Sequence, residues 1–249
     1  MAAESSLDKA LSVLEAVARS GGGCRLMDLS SSAGYPPATL HRILSQLLRR
    51  GYVRQDPDTK VYQLGLKCLD VFSRVQSDLE ITTYARPVMR RLMEKTGETV
   101  NLVVFDGDEA VYLDQVANDK ALLRAFTRVG VRVPLLSSGV GKAYLSTRPE
   151  EEVVAYFRRV KKVRYTSSTL TREEDFVSDV ALSRQRGYAV DREEYEAGVG
   201  CVACVVTQGS KVAGAISISG PSSRLLGAHA DRLAGEVLRG AAAISKQLS

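Results

Sequence analysis

Thr39, His41, Arg42 and Gln46 share one side of a stretch whose other side is Leu40, Ile43, Leu44, Leu47 and Leu48. Those polar types suit contact with base edges. Arginine pairs bidentately with guanine, and glutamine pairs with adenine. Thr39 can bond a base or a phosphate, and Ala38 can touch a thymine methyl. Arg49 and Arg50 lie further along the stretch, where phosphate or solvent is the natural neighbour. Arg54 and Lys60 flank the turn Asp56-Pro57-Asp58-Thr59, placed for phosphate or minor-groove contact. The chemistry these residues could do is recognition of duplex DNA.

A second set lies beyond residue 130. Ser138-Gly139-Val140-Gly141-Lys142 invites a phosphate-loop reading, but Leu136 stands where the first glycine belongs and Ala143 replaces the Ser/Thr that would hold magnesium. A glycine loop before a helix still offers free N–H groups that suit a carboxylate, and a packing turn fits the same residues equally well. Asp191 precedes Glu193-Glu194-Tyr195-Glu196. Paired carboxylates suggest a hydrolase, yet no Ser/His/Asp pattern accompanies them, and a solvated turn is the better reading. Cys201 and Cys204 sit three apart on a predicted strand, so they point to opposite faces and cannot share a metal. Residues two apart, such as Val199 with Cys201 or Ser217 with Ser219, would line a cavity that their strand faces.

Bulk properties narrow the classes. The chain has 249 residues, 45% hydrophobic and 25% charged, enough for two modest domains. Net charge is +5, and residues 1–67 hold nine basic against six acidic side chains. Within 25–54 five arginines face Asp28 alone, a clustering that fits a polyanion partner and, on charge alone, a solvated basic face equally well. Four Cys and two His match neither a disulfide framework nor a metal site, so no cofactor or metal is expected. No apolar run is long enough to span a membrane, and the first residues carry acids rather than a basic leader, which points to the cytoplasm.

These residues need elements to hold them. Apolar spacing predicts a helix over 6–19 with Ser6 as N-cap, a second over about 26–33, and a third through Leu40–Leu48 closed by Gly51. Tyr52–Gln55 and Lys60–Leu64 alternate as a hairpin. Helix, helix, turn, helix, hairpin is the winged helix-turn-helix order. A helix over 66–79 follows. The remainder predicts helices at Ala85–Lys95, from Lys142, at 150–159, at 172–186 and from about Ala228 to Leu248. Strands are predicted at Thr99–Phe105, Glu109–Val116, Leu122–Phe126, Tyr188–Asp191, Gly200–Thr207 and Val212–Ser219, and Val131–Leu136 leads into the loop Ser137-Ser138-Gly139-Val140-Gly141. Helices flanking a mainly antiparallel sheet make this half α/β or α+β, able to enclose a small ligand.

The segment from Asp8 to Gly65 resembles the N-terminal domain of IclR-type transcriptional regulators. "MEKTGETVNLVVFDGDEAVYLDQV", "VGVRVPLLSSGVGKAYLST", "RGYAVDREEYEAGVGCVACVV" and "GAISISGP" are similar to that family's effector domain. The resemblance covers nearly the whole chain. It implies an α+β protein with a winged helix-turn-helix at 1–66, a linker helix at 67–80, and a GAF-like effector-binding and oligomerisation domain at 81–249. It also implies operator DNA, a small-molecule effector, and self-association as a dimer or dimer of dimers. The effector residues it implies are Gly139, Val140, Asp191, Val199, Cys201, Ser217 and Ser219. The function expected is a ligand-responsive repressor of a catabolic operon under the control of a small organic acid, and not an enzyme.

Overall fold

The computed structural model describes residues 4–117 and 129–249. The chain divides into two compact units, Met1–Asp78 and Leu79–Ser249.

In the first unit, helix α1 (Ser6–Arg19) is capped by Ser5 rather than Ser6. Ser5 Oγ accepts from Asp8 N at 3.1 Å while Ser5 N donates to Asp8 Oδ2 at 3.1 Å, so the box satisfies both free amides one residue earlier. Helices α2 (Leu26–Ala33) and α3 (Pro37–Arg49) follow, with Gly34 between them in the left-handed region at φ 72°. Val13, Val17, Leu29, Leu40, Ile43 and Leu44 form the shared core. Strands β1 (Val53–Gln55) and β2 (Tyr62–Leu64) pair antiparallel as the wing. Cys24 adds a bridge to Tyr62, exchanging N–H···O bonds of 3.0 and 2.8 Å. Helix α4 (Leu66–Asp78) carries Leu66, Leu69, Val71, Phe72 and Val75 exposed.

The second unit is one six-stranded antiparallel sheet, in the order β5-β4-β3-β8-β7-β6, between two helical layers. Its strands are β3 (Thr99–Asp106), β4 (Glu109–Val116), β5 (Arg132–Pro134), β6 (Ala189–Arg192), β7 (Val199–Gln208) and β8 (Lys211–Pro221). Helices α5 (Glu80–Thr96) and α10 (Ala230–Leu248) cover one face, meeting Val100, Leu102, Val202, Cys204, Ile216 and Ile218. The other face meets α6 (Gly139–Leu145), α7 (Glu150–Arg159) and α8 (Glu173–Arg186) through Tyr112, Ala189, Cys201, Ala203 and Ala215. A short α9 (Ser222–Leu225) follows β8.

Several boundaries differ from the sequence-based expectation. Helix α5 starts at Glu80, five residues before Ala85, although Pro87 lies inside it. Ile81, Ala85, Val88, Met89 and Leu92 repeat at helical spacing and are all buried, and that burial outweighs the amide missing at Pro87. Helix α6 starts at Gly139, so the glycines form its first turn and not a loop before it. The expected strand Leu122–Phe126 lies outside the described residues. The stretch expected to lead from Val131 to Leu136 into the loop holds strand β5 and then a 3-10 turn, Leu135–Ser137.

Candidate functional site

The exposed side of α3 follows from the burial of its other side. Leu40, Ile43 and Leu44 are fixed in the core, and a period of 3.6 residues then leaves Ala38, His41, Arg42 and Gln46 in solvent. Thr39 is half-buried. Pro37 opens the helix at a position where no amide donor is needed. Ser45 Oγ donates to the His41 carbonyl at 2.7 Å and so turns back on its own helix. Arg54 and Lys60 are exposed on the wing. Asp56 holds the wing tip, accepting from Thr59 N at 2.7 Å, Thr59 Oγ1 at 2.9 Å and Asp58 N at 3.0 Å. Those bonds, the Thr59 amide first, hold its carboxyl below the usual range.

The second unit holds a small cavity of about 50 Å³ between α6 and the sheet. Gly139, Val140, Asp191, Val199, Cys201 and Ser219 line it, as do Tyr112, Tyr195 and Glu196. Ser217 is not a lining residue. It is buried two residues along β8 from Ser219 and accepts from Asn101 Nδ2 at 3.3 Å. Sequence reasoning therefore brought six of its seven expected residues to the cavity wall. It missed Tyr112, Val133, Tyr195 and Glu196 on the wall, and Asn101, which bonds the wall residue Ser219. A signal existed for Asn101: it is a lone amide in the apolar run Thr99–Phe105, on the face opposite Val100 and Leu102.

Ser138 caps α6 and draws the glycine turn in. Its Oγ accepts from Gly141 N at 3.2 Å and donates to the Pro134 carbonyl at 2.8 Å. The two glycines have different jobs. A Cβ on Gly141 would collide with the backbone of Leu135, whereas one on Gly139 would come within 3.1 Å of Cys201 Sγ, at the cavity. Gly141 is a packing residue, and Gly139 leaves the cavity wall without a side chain.

The reading of 193–196 as a solvated turn fails at Glu194, which is 3% exposed. Thr166 Oγ1 and Thr169 Oγ1 donate to the carbonyls of Glu193 and Glu194 at 2.6 and 2.7 Å and pin the turn against the body. Lys142, wholly buried, lies beneath it. Its Nζ donates to Asp179 Oδ2 at 2.7 Å, to the Val190 carbonyl at 2.7 Å, and to Glu194 Oε1. Burial opposes the ammonium, but Glu194, Asp179 and Asp191 together hold its pKa above the usual value. Asp191 Oδ1 accepts from Glu194 N at 2.7 Å. Burial and the Glu194 charge push the Asp191 carboxyl up to about 7, against the pull of Lys142.

Cys201 and Cys204 face opposite sides of the sheet, as their spacing requires. Burial pushes Cys201 up to about 12 and Cys204 up to about 11. A thiol so hard to ionise is a poor nucleophile at neutral pH. Among the described residues no group of His, Cys, Asp and Glu could hold a metal ion, and no helix is long and apolar enough to cross a membrane.

Known proteins carry the same architecture. The IclR helix-turn-helix domain matches residues 6–57, and the bacterial transcriptional regulator IclR C-terminal domain matches residues 73–246. The acetate operon repressor of Salmonella typhimurium is 36% identical over 239 residues, covering 95% of this chain and 87% of its own. The Thermotoga maritima IclR crystal structure superposes with a TM-score of 0.82 at 28% identity, covering 97% of this chain and 98% of that one. An IclR homolog from Microbacterium hydrocarbonoxydans, crystallised with 4-hydroxybenzoate, has the same fold at a TM-score of 0.84 and 22% identity, covering 98% of this chain and 99% of that one. A helix-turn-helix with an exposed polar reading face, joined in one chain to the matching C-terminal domain, makes this protein a member of the IclR family of bacterial transcriptional regulators and not an enzyme.

Proposed function

We propose that this regulator represses a catabolic operon and that a small organic acid or related metabolite, bound in the cavity beside α6, changes its grip on the operator. The reading face of α3 carries the DNA half of the proposal: Ala38, His41, Arg42 and Gln46 are exposed together while the same helix buries Leu40, Ile43 and Leu44. An α-helix presented in this way fits the major groove. In this reading Thr39, His41, Arg42 and Gln46 meet bases, and Arg54 and Lys60 meet phosphates. Gly139, Val140, Asp191, Val199, Cys201 and Ser219 surround the effector, with Ser217 two residues along β8 from Ser219.

Labour divides as 1–66 for DNA, 67–80 as a linker helix, and 81–249 for effector binding and oligomerisation. Self-association, as a dimer or dimer of dimers, is supported by the exposed Leu66, Leu69, Phe72 and Val75 of α4, a face that solvent does not favour. A repressor of this kind works in the cytoplasm. The names of its relatives agree in kind, one being an acetate operon repressor and one an IclR homolog crystallised with 4-hydroxybenzoate.

The test is fluorescence anisotropy on duplexes from upstream of the protein's own gene and its neighbours. Binding should be sequence-selective and should weaken steeply with salt. Arg42→Ala should cost about 1–3 kcal/mol at the specific site. Equal binding by Arg42→Ala refutes the assigned reading face, and the absence of salt-dependent duplex binding refutes the function.

A further inference from the structure

Carboxylate ligands are ordinarily met by a guanidinium or an ammonium group. This cavity offers neither. Among its described lining residues the charged or ionisable side chains are Tyr112, Asp191, Tyr195, Glu196 and Cys201, with no Lys, Arg or His. The nearest ammonium, Lys142, has three N–H donors, and Asp179, Glu194 and the Val190 carbonyl take all three. None remains for Asp191 or for a ligand. Arg192 turns away, donating to Asp179 Oδ1 at 3.3 Å.

Asp191 is thus a buried carboxylate that lines the cavity without a cation bonded to it. Its Oδ1 accepts from Glu194 N. Among the described residues Oδ2 accepts no hydrogen bond, and it is not one of the enclosed oxygens that lack a partner. The groups facing it come from several elements. Lys142 on α6 favours its ionised form, whereas Glu194 in the following turn and Asp179 on α8 oppose it. Tyr112 on β4 and Cys201 on β7 are kept neutral by burial.

Building on the effector reading, we propose that the cavity takes a carboxylate together with a proton, Asp191 donating from Oδ2 to one ligand oxygen, so that the regulator reads acid and pH jointly. The cavity wall already carries the Asp191 and Glu196 carboxylates, so charge disfavours a further anion that enters without a proton. Lys142 and Arg192 offset Asp179 and Glu194, so an incoming carboxylate beside an ionised Asp191 would leave two adjacent uncompensated anions. A proton from solvent removes one and turns the repulsion into a charge-assisted hydrogen bond. The direction of the Asp191 shift agrees, since burial and Glu194 already hold the proton on it toward neutral pH.

The experiment is calorimetry on the full-length chain with acetate, lactate and 4-hydroxybenzoate, each paired with its primary amide. Measurements run at pH 6, 7 and 8 in two buffers of different ionisation heat. Acids should bind with little proton uptake at pH 6 and with uptake approaching one proton at pH 8, their affinity falling toward tenfold per pH unit above pH 7. Amides should bind without that slope. Asp191→Asn keeps a donor and should bind acids with a flat profile. In the ligand-free wild type, the carbon-13 resonance of the Asp191 carboxyl should titrate above pH 6, a readout that does not depend on how the variant folds. Acid affinity equal at pH 6 and pH 8, an Asp191 midpoint in the ordinary carboxylate range, or binding of amides but of no acid overturns this inference and leaves the effector cavity standing. Failure of acids and amides alike at millimolar concentration overturns the effector reading, and this inference with it.

Discussion

Asn101 Nδ2 donates to Ser219 Oγ at 3.2 Å and to Ser217 Oγ at 3.3 Å across the β3–β8 ladder, while Gln115 Nε2 donates to Asn101 Oδ1 at 3.1 Å. The chain of bonds has a direction. Because Asn101 supplies the N–H, both serine oxygens accept, and each serine proton is left to point elsewhere. Ser219 lines the cavity, so its hydroxyl can donate to a ligand. Asn101→Ala should cost about 1–3 kcal/mol in urea unfolding, because Gln115 and both serines lose a buried partner. Asn101→Asp should also weaken acid binding, since an acceptor replaces the donor that orients Ser219. An Asn101→Ala protein as stable as wild type rejects the network.

Lys142→Met should be far more damaging. It strips the ammonium from the buried Glu194 and leaves the partly buried Asp179 with Arg192 alone. Breaking one side of such a cluster typically costs about 3–5 kcal/mol. Adding Asp179→Asn and Glu194→Gln to Lys142→Met should recover part of the loss. Chemical denaturation of wild type, the single variant and the triple variant decides it, and no recovery in the triple variant would count against the charge account.

The two glycines of α6 should separate. Gly141→Ala forces a methyl into the Leu135 backbone and should leave little folded protein. Gly139→Ala meets Cys201 Sγ and the Asp191 Cβ at 3.1 and 3.4 Å, a crowding that side chains can absorb. Its melting temperature should stay within a few degrees while ligand binding falls about tenfold or more, as expected when a methyl occupies ligand space. Thermal shift with and without ligand distinguishes them.

Lys60 tests the wing. It adopts φ 58°, a left-handed conformation that glycine tolerates best, so Lys60→Gly removes the charge without adding strain. DNA affinity should drop about equally on specific and random duplexes, and the log–log salt slope should shrink by roughly one contact. A loss confined to the specific duplex would instead make Lys60 a base reader.

Asp191 also gives folding a pH dependence. The unfolded chain releases this proton near 3.8, whereas the folded protein holds it up to about 7. Between those values the folded state binds more protons. Stability from this group is present at low pH and is lost as pH rises through that window, by at most about 1.4 kcal/mol per pH unit. Asp191→Asn should therefore raise the melting temperature more at pH 8 than at pH 5. An equal change at both values would mean that the carboxyl titrates normally.

Local chemistry made the first unit readable. A stripe of leucines at helical spacing, Gly34 and Gly51 as stops, and the Asp56–Thr59 turn each act within a few residues, so they are written in the sequence. The exposed face of α3 then follows by subtraction, because the buried face is known. Strand alternation likewise separated Cys201 from Cys204 before any contact was seen. What tertiary structure alone decided is which residues from distant segments meet. Asn101 and Ser217 lie 116 positions apart, and Lys142 reaches Glu194 across 52. No local period encodes such encounters. The acids at 191–196 carry the pattern of a surface turn, and only packing under α6 and α8, with Thr166 and Thr169 pinning the turn, buries Asp191 and Glu194 beside Lys142. Short-range periodicity in the sequence thus sets the helix-turn-helix and the exposed face of α3. The cavity's charge balance arises from long-range burial, which sets whether a carboxyl keeps its proton.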